Sequence, residues 1–384
     1  MNPPAPEKEW ESSLFSFRVG SSQNGQVSQE PQAARGGSAA GNGPDYRAAA
    51  AAGISVLQGW YSRRTGLWNT TGWWNSGNAL TAVIRYSQST GDPAYLDVIE
   101  NTFTRAQRGF LKVQRRKPGF INDFFDDNLW WALAWVSAYD LTRDERYRAA
   151  AQAIFAHSLS GWDDTCGGGL WWNEKRTYKN AITNELFLTL AALLAVRIPG
   201  QREYRDWALR EWDWLHGSGL IGPSGLINDG LSADCANNGG TTWTYNQGVI
   251  LGGLGALHEL SGDQGYLRQG EVITDAALRS LTSTDGILAE PGEAKASGQD
   301  RDLPQFKGIF VRYLHDFAQY RSKPEYGAFL LANAGSVLAH NRNPAGQFGL
   351  HWAGPFDQAD ASRQTSAIEV LTAAAAAVTA PEVS

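Results

Sequence analysis

Apolar residues recur at helical spacing in six stretches of the chain. In one of them Leu129, Leu133 and Val136 fall at intervals of three and four residues, which is typical of a helix with one buried face. The stretches predicted to be helical are residues 78–87, 127–139, 181–196, 245–260, 306–320 and 362–378.

A second set of helices is indicated by a recurring tyrosine. A turn residue and an Asp, or a substitute for it, precede the tyrosine, and a helix-favouring stretch follows. The pattern occurs at intervals of 49 to 62 residues, at Tyr46, Tyr95, Tyr147, Tyr204, Tyr266 and Tyr326. Asp at an N-cap and Pro at the first helical position both favour a helix start. The regular interval predicts repeating units of two helices.

Six such pairs predict an all-α (α/α)6 barrel of six helical hairpins, in which inner and outer helices alternate. An open superhelix of helical pairs is the structural alternative. The links that lead from each tyrosine helix to the next stretch are long and rich in Gly, Trp and Asn, whereas the other links are short. If the barrel closes, all long links lie at one end, where we expect the functional site.

Composition bounds the domain organisation and the partners. Residues 1–43 are rich in Ser, Gln, Gly and Ala and are predicted to be a disordered or loosely attached tail, with residues 44–384 forming one catalytic domain. A formal charge of -6 is unfavourable for nucleic-acid binding. No apolar run approaches the ~20 residues that span a bilayer, so no membrane span is expected. The N-terminus lacks the features of a signal peptide, which favours a cytoplasmic location.

Tryptophan and cysteine are the unusual residues of this composition. Many of the 16 tryptophans lie beside Gly or Asn, and indole rings stack well on sugars, although large cores also use Trp as bulk. For Trp207 and Trp214, on a plain helical segment, the core role is preferred. Cys166 and Cys235 are the only cysteines, and both lie in Gly-rich loops where they could pair.

The candidate chemistry is an adjacent pair of carboxylates, Asp126 and Asp127, at the start of the second long helix. Adjacent side chains at a helix start diverge by about 100°, which can separate the two carboxyl groups by the ~5 to 5.5 Å of a retaining glycosidase. Each carboxylate disfavours ionisation of the other, so one can stay an acid while the other is a nucleophile. Helix capping is the alternative role, but it does not require the flanking aromatic residues. Asp163 and Asp164 form a second pair, interpreted as loop architecture or a sugar contact.

Other polar and aromatic residues are expected at the same end of the barrel. Amides and hydroxyls can bind sugar hydroxyls, and aromatic rings supply stacking faces. Each residue alone is equally compatible with a structural role, but together they predict a saccharide cleft. The predicted substrate-binding residues are Trp74, Asn75, Asn128, Trp130, Trp172, Asn184, Asp229, Tyr245, Asn246, Gln247 and Lys307.

Three motifs, in this order, resemble glycoside hydrolase family 76, the endo-α-1,6-mannanases and their fungal cell-wall relatives. The likeness covers roughly residues 46–378. The motifs are Asp126-Asp127-Asn128-Leu129-Trp130-Trp131-Ala132-Leu133-Ala134, Cys166-Gly167-Gly168-Gly169 with Trp171-Trp172, and Thr244-Tyr245-Asn246-Gln247-Gly248.

The resemblance implies an (α/α)6 barrel and endo-acting cleavage of α-1,6-mannosidic linkages with retention of configuration. Asp126 would be the nucleophile and Asp127 the acid/base, with no metal and no cofactor. The expected partner is α-mannan or manno-oligosaccharides, and the chain is expected to be a monomer. Family members are typically exported, which opposes the cytoplasmic expectation and leaves the location open. The alternatives are a mannan transglycosidase of the cell-wall type and an inactive saccharide-binding protein.

Overall fold

The structure is a computed structural model that describes residues 43–107, 119–296 and 300–379. The predicted tail over residues 1–43 lies almost entirely outside the described residues and stays a prediction. The helices are α1 Tyr46–Gln58, α2 Trp73–Thr90, α3 Leu96–Ala106, α4 Phe125–Thr142, α5 Glu145–Ser158, α6 Ala181–Arg197, α7 Arg202–Gly217, α8 Thr244–Ser261, α9 Gln264–Ser280, α10 Leu303–Tyr320, α11 Pro324–His340 and α12 Ala361–Thr379. Three short 3-10 helices lie in the loops, at Leu159–Gly161, Thr165–Gly167 and Glu293–Lys295.

The even-numbered helices form a closed inner ring. Each packs against the next, and α12 packs against α2, which closes the ring. The odd-numbered helices lie outside this ring, for example α5 against α4, α7 against α6 and α1 against α12. The (α/α)6 barrel is therefore confirmed, and the open superhelix is wrong because the first and last inner helices touch.

Burial follows the two layers. The inner helix α6 is buried on almost every side, as its run of apolar residues requires. The outer helix α3 buries only one face, formed by Val98, Ile99, Thr102 and Ala106. Helices that are buried all round can expose functional side chains only at their ends.

The seam where the ring closes is held by buried charges. Arg312 on α10 donates to Glu369 on α12 at 2.9 Å and to Asn78 on α2 at 2.8 Å. Arg85 on α2 lies 3.7 Å from Glu369 and also pairs with Asp316. Charge-assisted hydrogen bonds of this kind fix the relative positions of the three helices.

The helix starts follow the expected caps at several units. The side chains of Asp45, Asp144 and Asp263 accept hydrogen bonds from backbone N–H groups of the first turns of α1, α5 and α9. Two inner helices begin three or more residues earlier than predicted, since α2 starts at Trp73 and α10 at Leu303. Trp74 and Asn75 are therefore helical residues of a first turn.

The loops contain little regular structure. Two short strands, β1 Tyr61–Ser62 and β2 Leu67–Trp68, form an antiparallel hairpin between α1 and α2. The remaining pairings are single bridges, such as Trp162 with Leu170 and Asn180 with Gly230. Among the described residues, no helix has both the length and the apolar character needed to cross a bilayer.

Candidate active site

All inner helices begin at the same end of the barrel, which we call the mouth, because each is entered from one of the long loops. A repeated contact fixes each loop to its helix. At the fourth residue of five inner helices, a side-chain oxygen accepts a hydrogen bond from a backbone N–H of the preceding loop. The pairs are Ser76 with Trp68, Asn128 with Asn122, Asn184 with Leu170, Gln247 with Ile227, and Gln364 with Phe348.

Asp126 and Asp127 occupy the first turn of α4, and both are half-buried. The indole Nε1 of Trp172 donates to Asp126 Oδ2 at 3.0 Å, and Asn122 Nδ2 donates to Asp127 Oδ2 at 2.6 Å. The backbone of Trp172 is itself held, because Phe125 N donates to its carbonyl at 2.9 Å. Each carboxylate therefore has its own donor, supplied by a different loop segment.

The environment of Asp126 opposes its ionisation. Burial raises the pKa of Asp126 well above its ordinary value, and the neighbouring charge of Asp127 raises it further. Hydrogen bonds from the backbone N–H groups of Asp126 and Asp127 and from Trp172 lower this pKa again. Two adjacent carboxyls that interact in this way titrate as a pair and not independently.

Aromatic rings from four inner helices form one wall of the mouth. Trp74 stacks on Trp130 with 5.7 Å between ring centroids and approaches Phe306 at 6.4 Å. Phe306 in turn stacks face to face on Tyr245 at 3.9 Å. This wall brings together three of the predicted binding residues and adds Phe306, which lies one residue before Lys307.

Acidic groups surround Tyr245. Burial raises its pKa well above the ordinary value, followed by the charges of Asp229, Asp126, Glu185 and Asp302. Tyr245 therefore connects the Asp126 side of the mouth to Asp229. Asp229 accepts hydrogen bonds from Tyr178 and, at 3.1 Å, from Trp243, so its two oxygens already have partners in the protein.

Sequence reasoning missed Glu185. It is fully buried in α6, and neither carboxyl oxygen has a hydrogen-bond partner among the described residues. Burial, and secondarily Asp229, raises its pKa well above the ordinary value. The available signal was a single charged residue within the mostly apolar run of residues 181–196.

In the first turns of the inner helices, three buried amides also have polar atoms without partners in the described part of the chain. They are the Asn75 carbonyl oxygen and both amide atoms of Asn246 and Gln305, in the first turns of α2, α8 and α10. Unpaired buried amides are costly and rare, and they are suited to bind sugar hydroxyls or water. Asn75 and Asn246 were predicted from the sequence, whereas Gln305 was missed.

Four other predicted binding residues have protein partners for their polar atoms. The amides of Asn128, Asn184 and Gln247 each bond both the N–H and the carbonyl of one loop residue, which fixes the loops. Lys307 Nζ donates to Glu293 Oε2 at 2.5 Å and to the Leu350 carbonyl at 2.8 Å. Their contact with substrate stays a prediction.

The loop between α5 and α6 carries Trp172 and is joined to the next loop. Cys166 and Cys235 form a disulfide that links this loop to the one between α7 and α8. Asp163 binds Lys179 and the indole of Trp171 at 2.7 Å, which agrees with its interpretation as loop architecture. Trp214 also belongs to this framework, because its Nε1 donates to the Cys166 carbonyl.

The family model described as Glycosyl hydrolase family 76 matches residues 47–383. The chain belongs to this family. The family 76 match covers every inner helix and the whole mouth, so the carboxylate pair and the aromatic wall lie within it.

Two curated mannosidases are similar to the chain in sequence. Mannan endo-1,6-alpha-mannosidase DCW1 of Saccharomyces cerevisiae is 28% identical, over 78% of this chain and 71% of its own length. The putative mannan endo-1,6-alpha-mannosidase C1198.07c of Schizosaccharomyces pombe is 29% identical, and the chain covers 58% of its length.

Solved structures of family 76 are similar in fold. The GH76A α-1,6-mannanase of Salegentibacter sp. HEL1_6 superposes with a TM-score of 0.76 at 27% identity, covering 87% of this chain and 100% of that one. A second structure of that mannanase is an inactive variant, with two consecutive aspartates replaced by alanine, in complex with α-1,6-mannotetrose. Dfg5 of Chaetomium thermophilum has the same TM-score at 22% identity, which shows the fold alone.

Proposed function

We propose that this family 76 glycosidase is a retaining, endo-acting hydrolase of α-1,6-mannosidic linkages in mannan. The observation that carries the proposal is the carboxylate pair at the mouth, in which Asp126 and Asp127 have different donors and lie beside an aromatic wall. The supporting relatives are the yeast mannan endo-1,6-alpha-mannosidase and the Salegentibacter mannanase, whose inactive variant lacks two consecutive aspartates.

The roles of the two aspartates follow from their donors. Because the carboxyls titrate as a pair, the active form is the one that holds a single proton. Burial and the charge of Asp127 oppose ionisation of Asp126, whereas Trp172 and two backbone N–H groups stabilise its ionised form. We place the proton on Asp127 because the family resemblance assigns the nucleophile to the first aspartate of the pair, and Trp172 is the donor that supports this form. Asp126 is then the nucleophile, and Asp127 is the general acid.

The reaction proceeds in two displacements. Asp126 attacks the anomeric carbon while Asp127 transfers its proton to the departing glycosidic oxygen, which gives a mannosyl ester of Asp126 and a free sugar chain. Asp127, now ionised, takes a proton from water as that water attacks the same carbon. The ester bond breaks, the manno-oligosaccharide leaves with the original configuration at its anomeric carbon, and Asp127 is protonated again.

Substrate binding uses the walls of the mouth. Trp74 and Tyr245 present ring faces to the apolar sides of mannose units, and the buried Trp130 stacks on Trp74. The unpaired amides of Asn75 and Asn246 bind hydroxyl groups. Glycan hydroxyls in these positions would satisfy buried polar atoms that the protein alone leaves without partners.

The test is product analysis on linear α-1,6-mannan with wild type, Asp126→Asn and Asp127→Asn. Wild type should release a range of manno-oligosaccharides early, and proton NMR should detect the α anomer first. Asp127→Asn should lower kcat by about 10²- to 10⁴-fold, as expected for a lost general acid, and Asp126→Asn should give no turnover. Asp164→Asn is the matched control, because its side chain is 95% exposed at the edge of the loop.

Other outcomes would redirect the proposal. A first-formed β anomer would contradict retention, and release of mannose alone would contradict endo action. Longer oligosaccharides formed from short ones would favour transfer over hydrolysis. Binding without any product from folded wild type would make the chain a saccharide-binding protein.

A further inference from the structure

Lys179 lies directly before the N-cap of α6 and is only 2% exposed. Its ammonium group is enclosed by five oxygen atoms of the loop between α5 and α6. They are the carbonyl and Oδ1 of Asp163 at 3.2 and 3.0 Å, and the carbonyls of Thr165, Gly168 and Gly169 at 2.7, 2.6 and 2.9 Å. The face of the Trp171 ring covers the ammonium at 4.9 Å.

This arrangement resembles a coordination shell more than a salt bridge. Four of the five oxygens are backbone carbonyls, and only one belongs to a carboxylate. Carbonyl oxygens that converge on one point repel each other unless a cation lies between them. The loop can turn this tightly because Gly167, Gly168 and Gly169 all adopt positive φ angles. Its conformation therefore depends on the charge that Lys179 supplies.

The same segment holds the donor to Asp126. Trp172 lies three residues after Gly169, and its backbone N donates to the Tyr178 carbonyl at 2.8 Å, immediately before Lys179. On its other side the indole donates to Asp126 Oδ2. Loss of the cation would free both ends of the segment from which Trp172 projects.

We infer that Lys179 is a built-in cation around which residues 163–169 fold, and that through this loop it positions the Trp172 indole against Asp126. Lys179 is thus a positioning residue that touches neither substrate nor the reacting atoms. Its effect on catalysis rests on the proposed function, whereas its effect on the Trp172–Asp126 hydrogen bond does not.

Different charged groups act on Lys179 and on Asp126, the two residues that the loop connects. Asp163, Glu211 and Arg176 act on Lys179, and burial lowers its pKa. Asp127, on the same helix, acts on Asp126, and the charge of Asp126 in turn raises the pKa of Tyr245 on α8. Replacing Lys179 removes none of the groups that act on Asp126. A change in the titration of Asp126 would therefore indicate a change in its hydrogen bond with Trp172.

The experiment follows the Trp172 indole N–H by NMR in protein labelled with 15N-tryptophan, with Trp172→Phe used to assign the signal. In wild type the signal should titrate with the carboxylate pair. In Lys179→Ala the midpoint should rise by about half a pH unit or more, because a displaced donor stabilises ionised Asp126 less. Lys175→Ala removes an exposed lysine of the same loop and should match wild type.

Chemical rescue distinguishes a cation from general packing. n-Propylammonium replaces the three carbons and the ammonium that Lys179→Ala lacks, and it should restore both the midpoint and the melting temperature when present during folding. 1-Propanol, of equal size and without charge, should restore neither. Equal rescue by both compounds, or a wild-type midpoint in folded Lys179→Ala, would overturn the inference.

Two further arms keep the result interpretable. If Lys179→Ala does not fold, Lys179→Gln is titrated in its place, and an unchanged midpoint overturns the inference. Wild-type protein that cleaves no mannan would remove the proposed function, but the NMR titration would still decide the role of Lys179.

Discussion

The mouth contains two buried lysines with similar surroundings and different partners. Lys179 and Lys307 are 2% and 1% exposed, and each ammonium lies over a tryptophan ring, Trp171 at 4.9 Å and Trp352 at 5.2 Å. All five oxygens around Lys179 come from one loop. Lys307 instead joins two loops, through Glu293 between α9 and α10 and the Leu350 carbonyl between α11 and α12.

The difference shows two ways of holding neighbouring loops together. On the Lys179 side, the cation organises one loop internally, and the Cys166–Cys235 disulfide then ties that loop to the next. On the Lys307 side, the ammonium makes the connection between loops itself. On the Lys179 side the cation orders the loop and the disulfide joins it to the next loop, so the loss of either feature should leave the other in place.

The largest expected effect is on the covalent connection. Removing the disulfide with Cys166→Ala and Cys235→Ala should lower the free energy of unfolding by about 4 kcal/mol, because it closes a loop of 69 residues in the unfolded chain. Urea denaturation measures the change, with reduced wild type as the control. A variant as stable as wild type would show that non-covalent contacts alone hold the two loops together.

Replacement of Lys307 should have the next largest effect. Lys307→Ala leaves Glu293 and the Leu350 carbonyl without their cation. The variant should lower the free energy of unfolding by about 2 to 3 kcal/mol. This is at or below the usual loss for a broken buried ion pair, because Glu293 is partly exposed. Lys295→Ala, an exposed lysine of the same loop, is the control. n-Propylammonium should restore the stability of Lys307→Ala less than that of Lys179→Ala, because only two oxygen atoms accept hydrogen bonds from the Lys307 ammonium. Equal rescue of the two variants would contradict the distinction between the two sites.

The smallest effect concerns a buried glutamate near each lysine. Burial raises the pKa of Glu290 to about 8 and that of Glu211 to about 8. Between about pH 4.5 and pH 8 the folded protein keeps protons that the unfolded chain has released, so these groups make the free energy of unfolding fall as pH rises.

Glu290→Gln and Glu211→Gln should each reduce the fall in the free energy of unfolding between pH 4.5 and pH 8 by about 1 kcal/mol or more, since one pKa unit corresponds to about 1.4 kcal/mol. Urea denaturation at several pH values across this range provides the measurement. Similar flattening is expected on the two sides, because neither glutamate forms an ion pair with the nearby lysine among the described contacts. An unchanged slope in either variant would contradict burial as the cause.

The fold could be predicted from the sequence because its signals are local and repeated. Helical periodicity and the capping residues before Tyr46, Tyr147 and Tyr266 gave the hairpins, and the repeat interval indicated a ring. The early starts of α2 and α10 were missed, because Trp73 and Leu303 follow Gly-rich or polar segments without a side-chain cap.

The site was only partly predictable. Asp126 and Asp127 were predicted as the catalytic pair because two adjacent acids at a helix start are flanked by aromatic residues that capping does not require, and the structure places them at the mouth. Asn128 and Asn184 have the residue type that binds sugars, yet an amide matches a loop backbone equally well, and only the structure reveals that partner. Glu185 was missed because helical periodicity does not reveal whether a buried acid has a partner.

The repeated contact at the fourth residue of the inner helices makes the barrel modular. Each loop needs to present the backbone of only one residue to this position of its helix, so loop length and composition can diverge while the scaffold keeps its shape. The unit built on α10 departs from this rule, since Phe306 occupies the fourth position and Lys307, the next residue, holds the loops. Phe306 at this position is therefore free to stack on Tyr245, and a substitution there would change the aromatic wall without disturbing the anchors of the other loops.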